Sequence, residues 1–265
     1  MHIVSWNVNS LGSLLDKHNE LQKLVDTHKP DVLCLQEVKC TPQTYEALMK
    51  RHTWVHEAFP YTIFNHSTTK KGYSGTAILS KFPFENIKTP SYIDNSEGRV
   101  IAVRLANYTI IDVYTPNSGQ KLERLKYRTE EWDAHFTKWL KELKDNKANR
   151  LIVCGDLNVT RTPQLDVWNP KCKSAGCTPQ ERDTFANLLE KTNMKDIYRD
   201  LHPLTNGYTY WSYRGNGRKE NKGWRLDYIL VSENMASIVE YSGIYDQYFG
   251  SDHAPIYATL KSQAN

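Results

Sequence analysis

The chain has 265 residues, 39% hydrophobic and 24% charged, an ordinary balance for a globular protein large enough to bury one sizeable core. No window holds the run of about 18 apolar residues that a membrane span needs, and the opening MHIVSWNVNS matches neither a secretory signal nor an Arg-rich transit peptide. A single domain over residues 1–265, intracellular and monomeric, is expected, and the formal charge of +4 adds only a slight pull toward polyanions.

In chain order, HIVSWNV reads as a first strand, after which Leu14, Leu15, His18, Leu21, Leu24 and Val25 keep the spacing of one helix. DVLCLQEV, YTIFNH and TAILS follow as strands, and RVIAVRL pairs with YTIIDVY across a tight turn at Ala106 and Asn107. Trp132, Phe136, Trp139, Leu140 and Leu143 mark a longer helix. After the strand RLIVCGD, another helix starts behind Thr178, with Pro179 first and Glu181 third as in a capping box. RLDYILVS and HAPIYATL complete the strands. Buried strands interspersed with a few helices predict an α/β fold of two packed sheets with helices outside them.

Five cysteines without a C-x-x-C pair fit a reducing compartment. Cys34 and Cys154 lie in apolar runs and read as small buried thiols. Cys172 and Cys177 flank a loop without partners at zinc spacing and read as structural or exposed thiols.

Apolar strands repeatedly end in an acid, amide, tyrosine or histidine. Asn7 and Asn9 follow HIVSW, Glu37 follows DVLCLQ, Tyr114 and Asn117 follow TIIDV, and Asp156 and Asn158 follow RLIVCG. Asp227 sits within WRLDY, and Asp252 and His253 within GSDHAP. Any one of these could be a turn or cap residue; six repetitions point to one polar rim. Glu37, Asp156, Asp227 and Asp252 would repel one another unless a cation lay among them, and such oxygen donors suit Mg²⁺ or Mn²⁺ rather than zinc. A carboxylate base, Asn, Tyr and His donors and a metal together suit hydrolysis of a phosphodiester. Serine catalysis is a poor match, because Ser251 adjoins Asp252 and His253 in one turn and no G-x-S-x-G elbow occurs.

The segment Tyr208 to Arg225 interleaves Tyr208, Tyr210, Trp211, Tyr213 and Trp224 with Arg214, Arg218, Lys219, Lys222 and Arg225. Its charges can meet phosphates while its rings meet bases or sugars; the alternative is a solvated loop whose aromatics return to the core.

SWNVNSL, LCLQEVK, KGYSGTAILSK, YTPNSG with ERLKYR, VCGDLNV, TPQER, GWRLDY and GSDHAPI, in this order over nearly the whole chain, resemble the exonuclease III type of abasic-site endonuclease. That type falls within the endonuclease/exonuclease/phosphatase superfamily. The resemblance implies a four-layered α/β sandwich and Mg²⁺-dependent hydrolysis of duplex DNA 5′ to an abasic site, with some 3′-5′ trimming and Mn²⁺ able to substitute. It makes Glu37 the main metal ligand, with Asn9 and Asp252 nearby, and gives the attacking water to Asp156 and Asn158. His253, paired with Asp227, would bind the scissile phosphate, assisted by Tyr114, Asn7 and Asn117. Tyr210, Trp224 and Leu226 match positions that line a pocket for a flipped-out baseless sugar, which leaves the stack cheaply. Gln120 and Arg214 match loop positions that enter the grooves, and Tyr73, Lys71 and Lys39 match backbone contacts, which give affinity without sequence specificity.

The chain departs from the family pattern at Ser10 and Gly12, at the short NPKCKSAGC loop, and at Arg161. Rival readings are another phosphatase or phosphodiesterase of the superfamily, the endonuclease of a mobile genetic element, and a DNA-binding module without catalysis.

Overall fold

The structure is a computed structural model that describes residues 1–145 and 150–261. The chain opens with β1 (His2–Asn7), α1 (Leu11–Lys17), α2 (Glu20–His28), β2 (Val32–Gln36), α3 (Pro42–Arg51), α4 (Trp54–Ala58), β3 (Tyr61–Asn65) and β4 (Thr76–Ser80). Next come β5 (Glu85–Ile87), β6 (Val100–Leu105), β7 (Tyr108–Tyr114), a π-helical turn (Tyr127–Trp132) running into α5 (Asp133–Asp145), and β8 (Leu151–Asp156). The last third holds α6 (Pro163–Asp166), α7 (Pro179–Thr192), β9 (Met194–Asp196), α8 (Ile197–Leu201), β10 (Asp227–Ser232), β11 (Val239–Ile244) and β12 (Ile256–Leu260).

The strands form two mixed six-stranded sheets, ordered β11-β12-β1-β2-β4-β3 and β5-β6-β7-β8-β10-β9. Alternation along each strand assigns the layers. Ile3, Val32, Cys34, Ile78, Ile110, Ile152, Cys154 and Ile229 meet between the sheets. Val4, Trp6, Leu33 and Leu35 face outward onto Leu14, Leu24 and Leu48 of the helices. On the far side, Leu151, Val153 and Leu230 face Phe136, Trp139 and Phe185. Helix, sheet, sheet and helix are the four layers the sequence predicts. Central strands buried on both faces account for runs such as LIVC, which are continuously apolar rather than alternating.

The helix expected across Leu14 to Val25 is two helices. His18 takes an extended conformation (φ −135°, ψ 125°) that ends α1, and α2 restarts at Glu20. Leu14, Leu15, Leu21, Leu24 and Val25 still share one apolar cluster, so two short helices meet the same burial requirement. The capping box at Thr178 is present: its hydroxyl accepts from Glu181 N at 3.2 Å, and Glu181 Oε2 accepts from Thr178 N at 3.1 Å. Sequence reasoning missed α3, capped by Thr41, and the short or outer strands β5, β9 and β11.

Candidate active site

Strand register builds the rim. Parallel pairing sets Asn7 opposite Gln36 and Tyr114 opposite Asp156, while antiparallel β10 begins with Asp227 opposite Asp156. The two sheets therefore deliver their polar strand ends to one edge. Gly155 permits the closest approach there: a Cβ on it would lie 1.9 Å from the Val113 carbonyl oxygen. Asn9, Glu37, Lys39 and Asn158 all have left-handed backbones, with φ between 48° and 54°. Such conformations are costly away from glycine, and their clustering marks a site whose surroundings hold it in place.

Asn7 ties the carboxylates together, its Nδ2 donating to Glu37 Oε1 and Asp156 Oδ2, each at 3.0 Å. Asp156 Oδ1 accepts from Asn158 N at 2.8 Å, and Asn117 Nδ2 donates to Asn158 Oδ1 at 3.0 Å. His253 Nδ1 lies 2.8 Å from Asp227 Oδ2, and its Nε2 points toward Asp156 Oδ2 at 3.8 Å. The Trp6 indole donates to the His253 carbonyl at 2.9 Å, fixing the segment that carries the ring. Arg99 stacks over Tyr114 at 4.6 Å and donates to its carbonyl at 3.1 Å.

Burial opposes a charged His253, yet Asp227 and Asp156 outweigh that penalty and push its pKa up to about 10. Burial, then repulsion from Asp227, raises the Asp156 carboxyl to about 7. Tyr114 is pushed well above its ordinary range by burial and by Glu37, so its hydroxyl stays a donor at neutral pH. Asp252 is raised by burial and by Glu37.

Glu37, Asp156 and His253 bring ligand-type atoms within 4.8 Å of one another, and with His253 protonated the carboxylates are the donors this group offers to a metal ion. The Lys39 ammonium lies 2.7 Å from Glu37 Oε2 and 2.5 Å from Asn9 Oδ1. Two proposed ligand oxygens thus already converge on a cation, as a hard divalent ion requires. Lys39, expected against the DNA backbone, has its charge on this cluster. With it there, Glu37 stays below its usual pKa although burial works the other way.

A cleft of about 460 Å³ opens over the cluster, lined by Glu37, Tyr114, Asn117, Asp156, Asn158, Asp252 and His253, with Gln120, Ser174, Ala175, Tyr210, Ser212, Trp224 and Leu226 completing its wall. The Tyr210 ring stands 4.9 Å from His253 and 5.5 Å from Trp224. An aromatic and apolar wall therefore adjoins the phosphate-directed groups. Gln120 lies on an exposed loop, the exposed Arg214 begins a single 3-10 turn (Arg214–Asn216) and Lys71 is exposed, whereas the Tyr73 hydroxyl accepts from Arg99 at 3.0 Å.

Part of the aromatic-basic segment turns inward. Arg225 is 1% exposed and clamps Asp166 (2.9 Å) and Asp196 (2.7 Å), so it supports the fold instead of meeting phosphate. Arg161, a departure from the family pattern, joins the same cluster at 3.2 Å from Asp196. Arg218 lies over Trp211 and Phe249 and donates to the Asp246 and Tyr248 carbonyls. Arg128, the last residue of ERLKYR, has no role of its own legible in the sequence: its buried guanidinium donates to the Pro116 and Leu157 carbonyls at 3.0 and 2.8 Å. It thereby binds the loop carrying Asn117 to the loop carrying Asn158, from the π-helical turn ahead of α5. Such turns are common at functional sites, but periodicity does not reveal them.

The chain belongs to the Endonuclease/Exonuclease/phosphatase family, whose model matches residues 4–253. Within that family it is similar to "DNA-(apurinic or apyrimidinic site) endonuclease" of Dictyostelium discoideum, at 39% identity over 97% of this chain and 69% of the relative. It is 36% identical to "Exodeoxyribonuclease" of Bacillus subtilis, covering 97% of this chain and 98% of the relative. The solved AP endonuclease of Leishmania major superposes with a TM-score of 0.87 at 29% identity, covering 99% of this chain and 88% of that one. The resemblance to the exonuclease III type and the four-layered fold are both borne out.

Proposed function

We propose that this chain hydrolyses the phosphodiester bond 5′ to an abasic site in duplex DNA, leaving a 3′-hydroxyl, with Mg²⁺ as its metal. The observation that carries this reading is the cleft itself, where Asp156 and the Asp227–His253 pair adjoin the apolar wall of Tyr210, Trp224 and Leu226. Relatives and structural neighbours named as abasic-site endonucleases support it, and the Bacillus relative's name supports a further exonuclease activity. An intracellular location goes with DNA as substrate.

Glu37, with Asn9 and Asp252, would hold the metal, which when bound relieves charge on the phosphate and the leaving oxygen. Asp156, with a pKa near operating pH, orients and deprotonates the attacking water; the Asn158 amide fixes one of its oxygens and Asn7 the other. His253 remains protonated and donates from Nε2 to a phosphoryl oxygen, with Asp227 holding the ring's other nitrogen. Tyr114, Asn7 and Asn117 are further donors at this edge. The apolar wall accepts a sugar without its base and rejects a full nucleotide by size.

A duplex carrying one tetrahydrofuran analogue tests the reading against an intact duplex and a soluble phosphomonoester. Mg²⁺-dependent incision 5′ to the analogue is expected. Equal cutting of intact duplex would favour a mobile-element type of endonuclease, hydrolysis of the phosphomonoester alone a phosphatase, and binding without incision a non-catalytic module.

A further inference from the structure

Arg99 ends the turn EGR that leads into β6, and its backbone is fixed on both sides. Asn95 Oδ1 accepts from Arg99 N at 2.8 Å and from Val100 N at 2.9 Å, while Tyr114 N donates to the Arg99 carbonyl at 2.8 Å. Gly98, with φ at 67°, lets the turn pass close to its neighbour: a Cβ there would lie 2.5 Å from the His66 carbonyl carbon. The Arg99 guanidinium, 1% exposed, then uses all three of its nitrogens. Nε donates to Glu97 Oε2 at 2.6 Å, Nη1 to the Tyr114 carbonyl at 3.1 Å and Nη2 to the Tyr73 hydroxyl at 3.0 Å. Its central carbon also lies over both rings, 4.6 Å from the Tyr114 centroid and 5.6 Å from that of Tyr73.

We propose that Arg99 is a positioning residue that links a substrate phosphate held by the Tyr73 hydroxyl to the placement of Tyr114 in the cleft.

The Tyr73 end of this linkage is built for an anion. Its hydroxyl accepts from Arg99 and, at 3.5 Å, from Arg124 Nη1, and its own proton has no acceptor among the described residues. Arg99 and Arg124 share one carboxylate, Glu97 Oε2, at 2.6 and 3.4 Å. The Lys70 ammonium stands 5.1 Å from the Tyr73 ring, so positive charge is in excess around that proton. A half-buried phenol with an unused O–H in such a field donates to a phosphate oxygen.

The linkage needs an arginine. A planar guanidinium reaches three acceptors and packs flat against two rings, whereas a lysine would keep the charge for Glu97 and lose both the fork and the flat face. Buried with its nitrogens all engaged, the plane cannot turn without moving its partners. A phosphate that takes the Tyr73 proton fixes that ring, and with it the guanidinium plane and the Tyr114 ring beneath it. Tyr114 lines the cleft as a donor, so narrowing its orientation acts on the transition state more than on the grip on DNA.

The effect on rate rests on the abasic-site reading, because it is felt through Tyr114. Tyr73 does not line the cleft, yet Tyr73→Phe lowers kcat on the tetrahydrofuran duplex. The fall is about fivefold in the parent protein and less than about twofold in the Tyr114→Phe or Arg99→Lys background, the non-additivity that residues of one hydrogen-bond network show.

The three single variants and their pairs are compared by kcat and KM at fixed salt and Mg²⁺. The same loss on Tyr73→Phe in every background, or a raised KM with kcat unchanged, would overturn the proposal. Should Arg99→Lys fail to fold, the Tyr73 and Tyr114 pair decides alone. A second measurement needs neither DNA nor metal: the full chain is labelled with 3-fluorotyrosine, and the fluorine resonance missing from Tyr114→Phe is that of Tyr114. Tyr73→Phe shifts this resonance in the parent protein and leaves it in place in the Arg99→Lys background; an unmoved resonance in the parent would break the link. If no form cuts the abasic duplex, the proposed activity fails while the fluorine spectrum still decides whether Arg99 joins the two tyrosines.

Discussion

His253 Nδ1 stands 2.8 Å from Asp227 Oδ2, and Asp227 Oδ1 is buried without another partner among the described residues. That carboxylate is committed to the ring, which it charges and orients. In Asp227→Asn the largest influence raising His253 disappears, so the histidine loses its proton at lower pH than in the parent protein. The alkaline limb of the kcat profile should move to lower pH, and kcat at neutral pH should fall by about a hundredfold or more, as when a preorganised donor is lost. A pH–rate series on the tetrahydrofuran duplex measures both; an unmoved alkaline limb would mean that Asp227 does not govern this proton.

Glu37 and His253 should fail in different ways. Glu37→Ala removes the carboxylate shared by Asn7 and Lys39, so a higher Mg²⁺ concentration should be needed for half-maximal rate. His253→Ala should cost about 3 kcal/mol or more of transition-state stabilisation, which extra metal does not restore. Metal titrations of the two variants compare them directly, and identical Mg²⁺ curves for the Glu37 variant and the parent would defeat the first half.

Arg225 is held between Asp166 and Asp196, all three almost fully shielded from water. Removing its charge leaves Asp166 with Arg199 and Asp196 with the half-exposed Arg161 as their remaining counter-ions, too little positive charge for two buried carboxylates, so Arg225→Ala should destabilise the fold by about 3 kcal/mol. Urea melts would register this as a lower midpoint. The exposed Arg214, by contrast, should leave the midpoint within about 0.5 kcal/mol of the parent when changed to Ala.

Asp112 lies between the sheets, wholly buried, with Gln36 Nε2 2.6 Å from its Oδ1. Its Oδ2 and Gln36 Oε1 both lack partners among the described residues, and an unpaired buried oxygen costs less in a neutral acid than in a carboxylate. Burial raises this carboxyl well above its ordinary range. Stability from a raised acid is complete below its unfolded pKa and declines as pH climbs toward the folded value. Asp112→Asn keeps the shape and supplies a donor without the proton equilibrium. It should therefore be more stable than the parent at pH 8, by about 1 kcal/mol or more, with the difference vanishing near pH 4. Thermal melts across that range would contradict the assignment if the difference did not grow with pH.

The polar rim was legible because each strand is a short apolar word with a polar last letter, as in LIVCGD, and register converts those endings into one edge. The supports beneath it were not. Arg128 and Arg225 look in sequence like other basic residues near aromatics, and only long-range contacts to carbonyls and to Asp166 and Asp196 reveal that they are buried. Lys39 likewise reads as a surface lysine until the left-handed turn at Glu37 and Lys39 brings its ammonium onto the acids. Apolar spacing across Leu14 to Val25 gave the buried leucines and Val25 correctly, but His18, read on the same face, is exposed at the break between α1 and α2, because two helices meeting one core repeat nearly the same pattern.

Trp224, Arg225 and Leu226 send alternate side chains to opposite sides, two into the cleft and one down onto buried acids. Three adjacent codons therefore encode both a surface and its foundation, locked in phase. Inserting or deleting one residue just ahead of them would exchange those positions, setting a guanidinium in the hollow and a bulky indole over two carboxylates. A change of length here should cost more than any one substitution, because it displaces the wall and its foundation together.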